Sequence, residues 1–537
     1  MTKYKLTGGV LMFAASFFLY GLASPGNLPG DTEVRWSVAR QILRHGDFSL
    51  EDQVRTRNYA VGVDGRRYSF SGLGQSLCLL PFAGIGLILE KVTPIAPGTL
   101  DLMAQFLASV ILFPAIGAAG IWLFYRLVLS LGYSQRDSLL AAAVLAFATM
   151  HFHYSVDTQE QTQESLLSVL AIFLMVKYYR QRRFVYAWLF CVAIGMCLLI
   201  RPVSAVTVLP VYLVAAANEV TGSGKKEMLK IIAKWSLAGV LGTGGFIIVC
   251  GWYNYIRFGS IFESGYALSI ATSMDGHKLF ESPPLPTLAA MLFSPGKSIF
   301  LYNPVLLLFP LCVYGFYHRH KAVALAIFSA ILSSFIFHSF YTAWAGDYAW
   351  SIRYQVPLLP LLVLPLVVLF SRPVKTAVKI LAISLILVSC TIQAASVVYN
   401  FNLEFVQNPN HCIIPDDWVW DWPQSHLRMR FENIIRHIAG KRDFSSVKVT
   451  DEEPLLLKYN HSEESVRRAY AVNFFPFKAG TMLPSNSKKL FYPLLCLWLI
   501  LWTGFLTSAA KLTRCCRLKA EIAPQSFDIS SGTQQVG

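Results

Sequence analysis

The chain has 537 residues, 54% of them hydrophobic and only 14% charged, with a formal net charge of +15. Soluble globular proteins carry about 25% charge, so an ordinary soluble enzyme is excluded. The charges fall in short runs between apolar stretches of about 17–25 residues, long enough to cross a bilayer. The positive balance is therefore read as the positive-inside bias of a multispanning protein, and no nucleic-acid partner is expected.

In chain order, Lys3 and Lys5 precede an apolar run at 6–22. That pattern resembles a secretory signal; we read it as an uncleaved first helix. Further spans are expected at 101–125, 138–152, 163–177, 184–200, 203–218, 232–252, 297–316, 322–338, 355–370, 378–397 and 489–510. The basic groups then test this arrangement. They are Arg126–Arg136, Lys177–Arg183, Lys225–Lys234, His318–Lys321, Arg372–Lys379 and Lys511–Lys519. All fall on the side of Lys3 and Lys5, which assigns that side, and both termini, to the cytoplasm. The segment 72–89 is apolar enough to span. Its Gly72, Gly74, Pro81, Gly84 and Gly86 make it a poor span, so we place it in or against the outer leaflet.

Ten cysteines are present. Cys78, Cys191, Cys197, Cys250, Cys312, Cys390 and Cys496 lie in or beside apolar segments and read as small hydrophobes. Cys412 stands alone in a polar loop. Cys515 and Cys516 sit in a basic tail beside a membrane helix, where acylation is open. No disulfide or zinc spacing appears. The fold class expected is an all-α polytopic membrane protein of about twelve transmembrane helices with outer juxtamembrane helices. Its parts are a catalytic module at 1–400, a small extracytoplasmic cap at 401–488, a last span at 489–510 and a cytoplasmic tail at 511–537.

The chemistry-bearing residues gather on the outer face. Asp31 and Glu33 follow the first span almost at once. Asp31 or Thr32 as a helix cap is one reading; a general base at the membrane surface is the other. Asp157, Glu160 and Glu164 are spaced i, i+3, i+7, which predicts one face of one helix. Acids there gain from the helix dipole, but at a membrane boundary they also mark a functional site. His151 and His153 with Asp157 offer a weak metal set. Arg201, Lys297 and Arg353 lie where outer loops meet spans. Each could simply snorkel to headgroups; together they suit a phosphate or pyrophosphate. Gly296-Lys297-Ser298 lacks the earlier glycine of a nucleotide-phosphate loop, position 291 being Met, and Gly224-Lys225 fails likewise.

Several pieces carry a family resemblance. They are Gly30-Asp31-Thr32-Glu33, the segment Tyr68–Ser76 ending Leu80-Pro81-Phe82, Asp157, Leu199-Ile200-Arg201-Pro202, Tyr253–Ser260, Ser294-Pro295-Gly296-Lys297, and Trp344-Ala345-Gly346-Asp347 with Arg353-Tyr354. In that order, over about residues 1–400, the chain resembles the GT-C superfamily of polytopic glycosyltransferases. Within it the chain is similar to bacterial protein O-mannosyltransferases and the lipid A aminoarabinose transferase.

The resemblance implies a sugar donor carried on a polyprenyl or dolichyl phosphate and an acceptor outside the cytoplasm, whether glycan, lipid or protein. Asp31 would be the catalytic acid–base and Asp157 the second carboxylate. Arg201, Lys297 and Arg353 are the expected donor-phosphate ligands. Relatives of the aminoarabinose type carry a Lys in the amphipathic segment; 69–74 has none, so Arg66 or Arg67 would stand in. Glu33, Glu160 and Tyr354 are candidate acceptor-side residues.

A one-step displacement at such a site would invert the anomeric centre and would require no cofactor, although a divalent metal is compatible. The expected place is the inner (plasma) membrane, among its lipids. Two other classes stay open: a surface-polysaccharide polymerase or ligase, and a flippase or transporter of lipid-linked sugars.

Overall fold

The computed structural model describes residues 2–28, 30–51, 59–221, 223–273, 277–346, 349–400, 403–407, 417–440, 471–482 and 491–517. Asp347, Cys412, the 441–470 stretch of the expected cap and the 518–537 tail lie outside the described residues.

A chain in lipid must satisfy its backbone hydrogen bonds internally, and apolar runs do so as helices. The protein is accordingly a multi-pass helical membrane protein. Eight described helices are long and apolar enough to cross a bilayer, and Thr7–Ala23, Phe184–Ile200 and Pro284–Phe293 are shorter apolar helices. In order, α1 (Thr2–Ala23) leads to α2 (Asp31–His45), a two-stranded hairpin β1 (Ala60–Val61) and β2 (Arg67–Tyr68), α3 (Leu73–Val92) and α4 (Pro97–Leu107). Then come α5 (Phe113–Ser130), α6 (Gln135–Phe147), α7 (His151–Val156), α8 (Gln161–Gln181), α9 (Phe184–Ile200), α10 (Ala205–Val220) and α11 (Lys225–Phe258). The core lies where α5, α6, α8 and α9 pack.

Next are α12 (Tyr266–Ser273), α13 (Pro284–Phe293), α14 (Ile299–Tyr302), α15 (Phe309–Arg319), α16 (Lys321–Phe340), α17 (Leu359–Val363), α18 (Val367–Ser371) and α19 (Thr376–Ser396). The stretch between α19 and the last described helix contributes α20 (Leu403–Gln407), α21 (His426–Ile438) and α22 (Phe475–Met482); α23 (Phe491–Arg517) packs beside α1.

Several spans are built differently from their sequence pattern. The 138–152 run breaks after Phe147 and resumes as the short α7. The 297–316 run is interrupted around Pro304, and 355–370 alternates 3-10 and α turns at Pro357, Pro360 and Pro365, because proline removes a donor and clashes with the preceding turn. The 72–89 segment is one continuous helix despite Pro81, long enough to cross by length and composition. It packs along α2 and α4.

Gly72 explains how its start meets α9: a Cβ there would come within 2.4 Å of the Ile200 carbonyl oxygen. Glycine is what permits this approach, and it fixes the end of α9, where Arg201 sits.

Candidate active site

The 157–160 turn is the centre of the site. The spacing of Asp157, Glu160 and Glu164 predicts one helix, but α7 ends at Val156 and Asp157 is extended (φ −78°, ψ 115°). The break is held from three sides. The Thr32 hydroxyl of α2 donates to the Thr158 carbonyl at 2.8 Å. The Gln75 amide of α3 donates to the same oxygen at 3.0 Å. The Thr162 hydroxyl donates to the Tyr154 carbonyl at 2.6 Å. Those bonds replace helix hydrogen bonds and release the Asp157 side chain from the helix face. Glu160 and Glu164 still lie one turn apart, with Glu164 N–H donating to the Glu160 carbonyl at 3.0 Å.

Asp31 is the first residue of α2. Gly30 occupies the cap position (φ 60°) and makes no side-chain cap, so neither Asp31 nor Thr32 is the cap. The Asp31 carboxylate is turned instead onto Arg353, whose Nη1 donates to Asp31 Oδ2 at 2.9 Å and to Gln159 Oε1 at 2.7 Å. Both ion-pair partners are buried. Asp31, Glu160 and Arg353 also bear electrostatically on Asp157. Burial pushes the Asp157 carboxyl up to about 7; Arg353 opposes the rise, and Asp31 and Glu160 add to it.

A second group of charges continues from this one. Arg35, one turn after Asp31 in α2, pairs with Glu160 at 2.7 Å. Arg201 lies 4.0 Å from Glu160 and 3.7 Å from Glu164, and Ser204 donates to Glu164. The Arg201 guanidinium sits 4.3 Å from the centre of the Tyr354 ring. His338 stacks on Tyr354 at 5.3 Å, and the Arg353 guanidinium donates to the Tyr354 hydroxyl at 3.3 Å. Arg201 and His338 open onto a largely apolar cavity of 310 Å³ lined also by Tyr266, Leu279, Phe280 and Tyr341. Asp31, Asp157, Glu160, Arg201, Arg353 and Tyr354 are thus brought together, at helix ends.

The remaining candidates lie elsewhere. Lys297 is fully buried and its ammonium donates to the carbonyls of Ala349 and Ser351 at 2.7 and 3.2 Å. It therefore braces the turn before Arg353, where Ser351 has a left-handed φ of 55°, a conformation costly for a non-glycine residue. Gly346 lies against the Arg353 side chain, which a Cβ would meet at 2.6 Å. Arg66 is half exposed and pairs with Asp64 at 2.6 Å and with Asp47. Arg67 donates to the Glu51 carbonyl at 3.5 Å and lies over Tyr59. Glu33 is exposed.

His151 is 3.2 Å from the Gly117 carbonyl and His153 stacks on Trp350 at 5.8 Å. Among the described residues no three His, Cys, Asp or Glu side chains form a metal-sized group. Arg35 and Gln159 were missed by sequence reasoning. Arg35 was legible as i+4 from Asp31 on one helix face; nothing local marked Gln159.

No family model and no curated protein matches the chain. Among solved structures it is similar to ArnT from Cupriavidus metallidurans bound to undecaprenyl phosphate. The identity is 13% over 94% of this chain and 77% of that one, with a TM-score of 0.46. It is also similar to the archaeal oligosaccharyltransferase AglB from Archaeoglobus fulgidus in complex with an inhibitory peptide and a dolichol-phosphate. There the identity is 12% over 79% of this chain and 60% of that one, with a TM-score of 0.42. Both likenesses are at low identity.

Proposed function

We propose that the protein is a membrane glycosyltransferase that moves a sugar from a polyprenyl-phosphate donor to an extracytoplasmic acceptor. The observation that carries the reading is the buried Asp31–Arg353–Gln159 contact beside Asp157, Arg201 and the apolar cavity. The reaction needs cations where a phosphate leaves and a carboxylate where a hydroxyl or amine attacks. Arg201 and Arg353 supply the first. Asp31, with Asp157 beside it, supplies the second. The cavity at Arg201 suits the apolar part of a lipid donor near its phosphate.

The donor class rests on the order of motifs in the sequence, and the acceptor is left as a hydroxyl or amine. Arg353 and Arg201 supply positive charge at the phosphate, so the reading needs no metal. Glu160, tied to Arg35 and Arg201, positions Arg201. Lys297 acts through the Arg353 turn.

Transfer of label from a panel of polyprenyl-phosphate sugars to membrane acceptors tests the reading. Its pH dependence is specific. Asp157 is protonated below about 7 and charged above it, so transfer should rise as pH passes upward through about 7. A flat profile from pH 5.5 to 8.5 would remove Asp157 from the chemistry, and no transfer from any donor in the panel would sink the assignment.

Orientation belongs to the same proposal. A second polar knot holds Tyr178, Glu219, Lys234 and Arg182 together, with Lys234 Nζ at 2.5 Å and Arg182 at 3.4 Å from Glu219. The positive-inside bias puts this knot in the cytoplasm and the Asp31 site outside. In a background lacking native cysteines, Arg66→Cys should react with an impermeant maleimide on intact spheroplasts. Arg182→Cys should react only after permeabilisation. The reverse pattern would place the site on the cytoplasmic side and overturn the proposed donor and acceptor topology.

A further inference from the structure

The outer loop returns to the membrane through α22, and this return brings a buried lysine to the site. Phe475 N–H donates to the Ser24 carbonyl at 2.9 Å and Asn473 N–H to the Val398 carbonyl at 2.7 Å. The Phe475 side chain is buried against Phe106, their ring centres 5.2 Å apart. The segment is therefore packed onto the first outer loop a few residues before Asp31. Lys478 follows one turn into α22 and is buried. Its ammonium donates to Asn27 Oδ1 at 2.9 Å and to Asn473 Oδ1 at 3.0 Å. Asn473 in turn lines a small hollow with Asp157, His153, Pro25, Tyr399 and Asn400.

We propose that Lys478 is a positioning residue of this site: it ties Asn473, which lines the Asp157 hollow, to Asn27 of the loop after α1, and adds positive charge, besides Arg353, near the Asp157 carboxylate. The inference rests on the reading that Asp157 belongs to the reaction site. The groups that bear on Asp157 come from several elements. Asp31 comes from α2, Tyr154 from α7, Glu160 from the turn before α8, Arg353 from the 353–358 turn and Lys478 from α22. His153 lines the same hollow. Asp31 and Glu160 push the Asp157 proton affinity up, and Arg353 and Lys478 pull it down. Burial in turn lowers Lys478 to about 8, so its charge is present below that pH. An opposite charge near a carboxyl lowers its pKa. Removing it should therefore raise the Asp157 midpoint.

The test reads the carboxyl directly and without substrate. The protonated carboxyl stretch of the full chain, reconstituted in lipid, is titrated by infrared difference spectroscopy. The band is assigned by its loss in Asp157→Asn. Lys478→Gln keeps a hydrogen-bonding side chain but no charge, and should move the midpoint up by about one unit. Lys478→Arg keeps the charge and should leave the midpoint within about 0.3 unit of the natural protein, a small fraction of a typical charge effect. Equal midpoints in all three proteins would overturn the proposal. So would equal shifts in Gln and Arg, because that pattern belongs to packing rather than charge. If Lys478→Gln does not fold, Asn27→Asp is the second variant. An added anion against Lys478 should weaken its pull and also raise the midpoint, and an unmoved midpoint there would count against the role. Because no sugar is transferred in this measurement, its result stands apart from the transfer assay. A shifted midpoint in a protein that transfers nothing would retire the glycosyltransferase reading and leave the Lys478–Asp157 coupling intact.

Discussion

Asp31→Asn is expected to lower sugar transfer by about 100- to 10,000-fold, the range over which a positioned general base contributes, while the protein still inserts and folds. Asparagine caps helices about as well as aspartate, but Gly30 and not Asp31 holds the cap position, so helix α2 loses no cap by the change; the cost in stability is the charge of the Asp31–Arg353 pair. The side chain keeps its shape, and its amide oxygen can still accept from Arg353, now 2.9 Å from Asp31 Oδ2. What is lost is the negative charge and the ability to take a proton. The rate of transfer, read beside the thermal unfolding of the same preparation, separates the two roles. Glu33→Gln is the control. Glu33 is exposed on the same helix and should change the rate by less than about tenfold, well under a general-base effect. An Asp31→Asn protein with normal transfer would mean that the base lies elsewhere, and Asp157 would be the next candidate.

Arg353→Ala should be the most damaging single change to the site, for a different reason. Removing one partner of a buried ion pair leaves the other charge unpaired, at a cost of about 3–5 kcal/mol. Here Asp31 would lose its 2.9 Å donor and Gln159 its 2.7 Å donor. We expect a lower unfolding temperature together with loss of transfer and of lipid-donor binding. The double substitution Asp31→Ala with Arg353→Ala should recover part of the lost stability but none of the transfer. Arg353→Lys should rescue stability more than donor binding, since an ammonium cannot make the paired contacts of a guanidinium. Additive effects of the two alanine changes on stability would show that Asp31 and Arg353 do not interact energetically. Unchanged donor affinity in Arg353→Ala would return the residue to a purely structural role.

The sequence by itself determined the class of molecule. The apolar runs identify a multi-pass bundle, because lipid allows few other backbone solutions. It also determined which residues to watch: Asp31, Asp157, Arg201 and Arg353 stand out since charges beside membrane helices are costly. Local pattern misled where the chain breaks. The 157–160 turn interrupts an apparent helical face because Thr32 and Gln75, from other helices, bind its Thr158 carbonyl.

Only the tertiary structure decided the partners. Arg353 and Asp31 are 322 residues apart, and no spacing rule joins them. Lys297 carried the same expectation as Arg353, yet its ammonium donates to the Ala349 and Ser351 carbonyls. Arg66 was a candidate phosphate ligand and instead pairs with Asp47 and Asp64 at the hairpin. Lys478 had no mark at all in the sequence. Its place depends on α22 and the residues before it folding back onto the ends of α1 and α19, through the contacts of Phe475 and Asn473. Periodicity and charge counts are properties of neighbours along the chain and are legible there. Which cation meets which carboxylate is set by the packing of helices distant in sequence, and that is written only in the folded bundle.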